Sequence, residues 1–378
     1  MKTLKFKLYH HKRNRHLKRL INTAGVIWNH CIALHKRYYR LYGKHLNCNK
    51  LMAHIAKRCK RNLYWQQLGS QAVQDICQRI EKAYQQFFRD HKKGVRPPNF
   101  KKVKKYRSFT LKQAGYKFLE GNQIKIIGSR VYRYWQSRPI EGKVKTVTIK
   151  RSSLGELYLA VVVEAEQAEQ IKVETGNSAG FDFGLRQFLT CSEGREHDVT
   201  SPQFLKQSLK RLKQANRSLS KKQKGSHNWH KARLHLARQH EAVVNRRQDW
   251  FWKLAHTLTD QFDVLCFESL NLKGMQKLWG RKVNDLAFAS FISTLAWVAE
   301  KSGKRVVCID RWYPSSKTCS QCGYVNQGLR LNDREWVCSG CGTHHTDHDR
   351  NASLNIKSVG ASTVGLGDVS RACHAIAV

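Results

Sequence analysis

Residues 178–184, Ser-Ala-Gly-Phe-Asp-Phe-Gly, set an acid inside a run of strand-forming residues with a glycine two places to either side. An acid inside a strand packs poorly, but it can hold an ion where backbone and phosphate must come close. Taken alone, Gly180-Phe-Asp182-Phe-Gly184 fits a turn or cap as well. A second acid, Glu268, ends the apolar run Val264-Leu-Cys-Phe-Glu268. An unpaired buried carboxylate is costly, so Glu268 has either a cation or a solvated strand end. Asp347-His-Asp349-Arg-Asn351-Ala352 opens a helical stretch, where N-capping is the ordinary use of an acid and one of the two is free to do only that. Together, two strand ends and a helix start can converge on divalent cations. Two such ions about 4 Å apart activate a water and stabilise the leaving oxygen of a phosphodiester. Oxygen ligands favour Mg²⁺ or Mn²⁺.

Outward from this stretch, strands and helices alternate: strands at 178–182, 186–191, 264–268 and 305–309, two long basic helices within 201–261, and a helix over 285–302. Residues 166–177 are polar and read as a linker. Upstream, 3–9 alternates as a strand, and 13 to about 92 is helical. Within that block Leu17, Leu20, Ile21, Ala24, Ile27 and Trp28 fall at helical spacing. Further helices are expected at 49–60 and from Ser70 to about Arg89. Paired prolines at 97–98 close the block. Short β segments follow at 106–112, 123–127, 143–150 and 157–164, and with the first strand they suit one small barrel interrupted by the helices. Gly360-Ala-Ser-Thr-Val-Gly-Leu-Gly reads as a flexible tail.

Composition narrows the partner. Hydrophobic residues make up 41%, enough for a globular core. Lys and Arg number 69 against 27 Asp and Glu, a net charge of +42. Self-repulsion of that size calls for a polyanion, and phosphate backbones are the usual one. Nothing reaches the 18 or so apolar residues of a membrane span, and the first residues lack the apolar run of a signal peptide. Eight of the 12 cysteines are scattered, as suits a reducing cytoplasm.

The other four are Cys319-x2-Cys322 and Cys338-x2-Cys341, with fifteen residues between the pairs. This spacing brings four thiolates to the corners of a tetrahedron, a closed structural Zn²⁺ site with no open position for catalysis. His344, His345 and His348 stand nearby as further potential ligands.

Gly180-x-Asp182-x-Gly184, Phe267-Glu268-Ser-Leu-Asn-Leu, Tyr313-Pro-Ser-Ser-Lys-Thr-Cys319-Ser-Gln-Cys322-Gly, Arg334-Glu-Trp-Val-Cys338-Ser-Gly-Cys341-Gly and Asp349-x-Asn351-Ala follow one another in an order that resembles the TnpB family. That insertion-sequence-encoded family is ancestral to the CRISPR type V effectors. Tyr84-x-x-Phe-Phe and Pro98-x-Phe-Lys-Lys extend the likeness upstream. The resemblance implies a multidomain α/β protein with four parts. A RuvC (RNase H-like) nuclease domain would span 178–315 and 346–378, interrupted by a zinc ribbon at 316–345. A β-barrel wedge domain would span 1–10 and 95–170, interrupted by a helical recognition domain at 11–94. It implies Asp182, Glu268 and Asp349 as the Mg²⁺-binding catalytic triad of an RNA-guided DNA endonuclease. The partners would be a guide RNA derived from the transposon end and double-stranded target DNA, with one protein per RNA. A guided but inactive repressor and a strand-joining transposase are the alternatives. The family usually has His-Asp-Arg-Asp-x-Asn-Ala past the last cysteine. Here the stretch is one residue longer, with His348 where Arg is usual; alignment from Asn351-Ala352 selects Asp349 over Asp347.

By the same resemblance Ser70, Gln71 and Gln74 would read the target-adjacent motif, with Thr110 and Gln113 on the matching wedge segment. Gln can pair bidentately with adenine in the major groove. Lys101, Lys102, Lys104, Lys105, Lys221, Lys222, Arg246 and Arg247 are expected to contact nucleic-acid backbone without reading sequence. Trp250, Phe251 and Trp252 are expected in the core.

Overall fold

Leu4 and Phe6 alternate with lysines along β1 (Lys2–Lys7), so one face of the strand turns inward and the other to solvent. The computed structural model describes residues 1–363 apart from 13, 129, 165–176 and 331–332, and omits the side chains at 273, 278, 279, 281 and 282. The chain divides into two units, Met1–Gln167 and Ala168–Val378.

In the first unit the chain leaves β1 for α1 (Asn14–Tyr42), α2 (Cys48–Lys60), α3 (Leu63–Gln66) and α4 (Ser70–Asp90). Asn47 and Asn62 cap α2 and α3 by accepting from the backbone N–H of Asn49 and Trp65. The chain returns as β2 (Ser108–Leu111), β3 (Tyr116–Leu119), β4 (Gln123–Ile126), β5 (Val131–Arg133), β6 (Val144–Arg151) and β7 (Leu157–Val163). These strands pair as a four-stranded antiparallel sheet of order β1-β7-β6-β2 and a three-stranded sheet of order β3-β4-β5, linked by a bridge from Leu8 to Tyr134. The sequence reading omits β3 and β5, segments of four and three residues. Helices and sheets share one core, in which Leu17, Ile21 and Ile76 meet Leu4, Phe109 and Val161.

The second unit begins with β8 (Ser178–Phe183), β9 (Gln187–Cys191) and β10 (Val199–Thr200), then α5 (Phe204–Ser220) and α6 (His227–Gln261). It continues through β11 (Val264–Glu268), α7 (Leu272–Leu286), α8 (Phe288–Lys301), β12 (Arg305–Ile309), the short β13 (Trp336–Val337) and β14 (His344–His345), and α9 (His348–Ser362). The sheet order is β10-β9-β8-β11-β12; β8, β11 and β12 run parallel, and β9 runs antiparallel to both of its neighbours, β8 and β10. On one face Phe181, Phe183, Phe188, Phe251, Phe267, Phe288 and Phe291 fill the core, and Trp250 and Trp252 pack at its margin. The sequence reading passes over α7, whose Gly274 and Gly280 lower helix propensity and whose backbone kinks at Gly280. The linker expected at 166–177 lies outside the described residues except for Asn177. Among the described residues, no helix is long and apolar enough to cross a membrane.

Helix α9 covers the other face, where Cys266, Val307 and Ile309 meet Ile356. A Cβ on Gly180 would lie 2.1 Å from the Ser353 carbonyl oxygen and 2.4 Å from the Lys357 nitrogen. The glycine thus admits a helix onto the strand, where the sequence suggests room for phosphate. Gly180→Ala is expected to cost about 3 kcal/mol, the upper end of ordinary overpacking. The check is a lower denaturation midpoint at unchanged m value. Gly360 corrects another expectation: it is buried inside α9, where a Cβ would lie 2.4 Å from Cys266 Sγ, so the flexible reading fails for 360–362. Residues 364–378 lie outside the described residues.

Candidate functional site

Register brings the first two acids together. Phe181 pairs with Phe267 and Gly180 with Cys266 across the parallel strands β8 and β11, so Asp182 and Glu268 come next, side by side at the strand ends. Phe181 and Phe183 flank Asp182 and both stack on Phe267, at 5.1 and 5.4 Å. Strand alternation therefore turns Asp182 to the opposite face, which α9 covers. Near the start of that helix stand Asp347 and Asp349. Asp347 is the N-cap, accepting from the backbone N–H of Asp349 and Arg350. Asp349 Oδ1 accepts from Arg334 Nη1 at 2.8 Å and faces His348 Nδ1 at 3.3 Å.

The electrostatics link the three carboxyls. Burial, then the charges of Glu268 and Asp349, push the Asp182 carboxyl well above the usual carboxylate range. Burial raises Glu268 as well. Asp349 goes the other way: the His348 ring and the Arg334 guanidinium hold it below its ordinary value. Neighbouring carboxyls in a partly dry site resist ionising together, and a cation removes the conflict. The donor set is oxygen only, which suits a hard divalent ion that keeps some of its waters.

The cysteines are gathered more tightly. Sγ atoms of Cys319, Cys322, Cys338 and Cys341 lie within 4.8 Å of one another. Cys319 to Cys341 is 3.7 Å and Cys322 to Cys338 is 3.5 Å. With Zn–S bonds of about 2.3 Å, a tetrahedron has edges of about 3.8 Å, so the cluster fits a zinc ion. Gly323 and Gly342 turn the two knuckles with φ of +75° and +76°. His345 is buried, stacks on Trp336 at 4.5 Å, and its Nε2 lies 3.2 Å from Cys319 Sγ, a partner of a ligand atom.

Two buried asparagines of α9 tie this ribbon to the carboxylate face. Asn351 Nδ2 donates to the Thr318 carbonyl at 2.7 Å and its Oδ1 accepts from Ser320 N at 3.0 Å. Asn355 Nδ2 reaches the carbonyls of Ser315 and Thr318. The sequence reading includes Asn351 in a motif but misses this clamp, as it misses the bond from Arg334 to Asp349.

The remaining candidates are scattered. Ser70, Gln74 and Gln113 are exposed, and Gln71 is half-buried. Thr110 is buried, its hydroxyl held by Thr148 Oγ1 at 2.8 Å and by Arg79, which also pairs with Asp75. Lys102, Lys104, Lys105, Lys221 and Lys222 are exposed. Lys101 lies over the Trp28 ring at 3.7 Å. Arg246 is exposed and reaches Ser208, and Arg247 is half-buried and reaches the carbonyls of Asn284 and Asp285 at the end of α7.

The family OrfB_IS605, described as "Probable transposase", matches residues 160–278, and the Cas12f1-like TNB domain matches residues 288–356. A candidate RNA-guided DNA endonuclease of Streptomyces pristinaespiralis is 28% identical over 93% of this chain and 87% of its own length. InsQ of Escherichia coli (strain K12), named likewise, is 23% identical over 93% of this chain and 90% of its own. A TnpB-like protein of Acanthamoeba polyphaga mimivirus is 30% identical over 59% of this chain and 45% of its own. The fold is similar to that of Cas12f1 in a cryo-EM structure with sgRNA and target DNA, with a TM-score of 0.60 at 14% identity over 93% of this chain and 83% of that one.

Proposed function

We propose that this relative of the TnpB proteins is an RNA-guided DNA endonuclease that carries a transposon-derived guide RNA and cuts double-stranded DNA beside a short motif. The observation that carries this reading is the strand register that sets Asp182 beside Glu268 on the face covered by α9, with Asp349 in the first turn of that helix. Relatives matched along nearly the whole chain and named for that activity support it. On this reading 178–315 and 346–378 form a RuvC-type nuclease domain and 316–345 its zinc ribbon. Residues 1–10 and 95–170 form the wedge domain and 11–94 the recognition domain.

Magnesium or manganese ions at the three carboxyls would supply an activated water and stabilise the leaving oxygen. Asp182 and Glu268 hold their places by strand register, the kind of rigid support a catalytic carboxylate needs. Asp349 takes both His348 and Arg334 on Oδ1, which leaves Oδ2 for a cation. Four thiolates in the ribbon would hold zinc as a structural ion. Ser70, Gln71, Gln74 and Gln113 would read the motif, and Thr110 would act through Arg79, which it positions. Exposed lysines at 102, 104, 105, 221 and 222 would meet phosphates, and the guide RNA would offset the net charge of +42.

The test is to express the chain with its native flanking DNA, sequence the RNA that co-purifies, and add Mg²⁺ and a plasmid library with randomised bases beside a matched target. Guide-dependent double-strand breaks next to one short motif are expected. Guided binding without cleavage would leave an inactive repressor. Joined ends would favour the strand-joining chemistry suggested by the description of the matching family.

A further inference from the structure

Among the described residues Trp312 is the most exposed large apolar side chain, at 84%. An indole is usually well buried, and this one stands on a tightly held turn. Its backbone N–H donates to Asp310 Oδ1 at 2.7 Å, and the N–H of Tyr313 donates to the Asp310 carbonyl at 3.3 Å. Ser315 N donates to the Tyr313 carbonyl at 2.9 Å, and the Ser315 carbonyl is held in turn by the buried Asn355 of α9. Tyr313 packs inward on the cluster of Cys266, Val307, Ile309 and Ile356. One aromatic of the turn thus anchors it, and its neighbour is sent into solvent beside the exposed Arg311.

Register fixes where this turn lies. Ile309, the last residue of β12, pairs with Glu268 across the parallel strands. Neighbouring strands lie about 4.8 Å apart and three residues reach at most about 11 Å, so the Trp312 backbone is within about 16 Å of the Glu268 backbone, a distance a few nucleotides span. Val264 and Cys266 face α9, so alternation turns Glu268 to that side, and Tyr313 holds the turn against the same side.

Chemistry names the ligand. A flat ring with open faces beside a guanidinium suits a π surface and a phosphate, the two ends of one nucleotide. A base inside a duplex is already stacked on both faces, so the ring takes one that is unpaired. We propose that Trp312 stacks on an unpaired base of the DNA strand held at the three carboxyls, with Arg311 on its phosphate, fixing the scissile bond over the acids. This rests on the nuclease reading and adds to it the grip on the strand. The grip reads no sequence, because every base has a π face.

The test uses the full chain with the RNA that co-purifies and a matched target carrying iododeoxyuridine at one position at a time. Irradiation without Mg²⁺, followed by peptide mass spectrometry, is expected to join Trp312 to a base near the cut, a readout that needs binding and no cleavage. In single-turnover cleavage Trp312→Ala is expected to be slower by about 5–150-fold, the contribution of one base–ring stack. Trp312→Phe should recover most of the rate, and guided binding and zinc content should match the wild type in both variants. No cross-link at Trp312 from any position, or cleavage by Trp312→Ala at the wild-type rate, overturns the proposal. If the wild type binds its target and cuts nothing, the nuclease reading fails, and the cross-link alone decides whether the indole meets a base. So exposed a ring carries little of the fold, and both variants should fold, as circular dichroism would verify.

Discussion

Replacing Asp182 by asparagine should abolish guide-directed cleavage and at the same time raise the melting temperature of the metal-free protein. The loss follows from the chemistry: a cation ligand contributes to several kcal/mol of charge stabilisation, and each 1.36 kcal/mol is tenfold in rate. A fall of about 10³-fold or more is expected in single-turnover cleavage. The gain follows from the electrostatics. Burial, Glu268 and Asp349 all disfavour a charge on Asp182, and asparagine keeps the shape without the charge. For a domain of this size each kcal/mol relieved is worth about 2–4 °C. The sign with pH is fixed too. A carboxyl whose folded pKa is raised lends stability at acid pH and loses it as pH climbs through that raised value. Without metal, the wild type should lose stability over that window and Asp182→Asn should lose less, because burial still raises Glu268 in the variant. Added Mg²⁺ should stabilise the wild type and leave the variant unmoved. Cleavage at the wild-type rate by the variant would remove Asp182 from the centre.

Cys338→Ser should cost the ribbon its zinc and, through it, much of the cleavage. Cys338 is 1% exposed and packs with Cys319, Leu329 and Trp336, a cluster too small to hold thirty residues without a staple. Structural zinc contributes about 10–16 kcal/mol in isolated fingers, so losing one thiolate should unfold the ribbon while the sheet persists. Arg334 then leaves Asp349, and Thr318 leaves Asn351 and Asn355. Removing a hydrogen-bonded partner of a metal ligand typically costs 10–100-fold, the drop expected here. A chromogenic chelator would report one equivalent fewer, and far-UV circular dichroism would change little. Full zinc content in the serine variant would sink this account.

How much of this was legible in the chain depends on how local each signal is. Val264–Glu268 and Arg305–Ile309 coincide with their strands because near-continuous apolar runs are what parallel strands buried on both faces require. The cysteine cluster was readable because both halves of its geometry lie within a few residues. Asp347 and Asp349, both acids at a helix start, were separated in the sequence only by alignment from Asn351-Ala352, and α9 adds the physical difference: Asp347 caps the helix while Asp349 takes Arg334 and His348. Thr110 and Arg247 show the opposite limit. A threonine in a strand and an arginine on a helix look available to a ligand, and only tertiary contact shows them held by Arg79 and by the end of α7. Gly180 was informative for the wrong reason: the close approach is real, but a helix makes it.

The order of elements along the second unit has a consequence for synthesis. β8 and β11 carry their acids early, but Asp349 sits on the helix that follows the ribbon and ends the described chain. A ribosome that stalls or stops before that helix releases a product with two acids, no Arg334–Asp349 contact and no α9 to lie on Gly180. On the proposed reading such fragments can bind nucleic acid and cannot cut it. On that same reading, late placement of the third acid would act as a completion check, leaving unfinished copies unable to cut DNA in the cell that makes them.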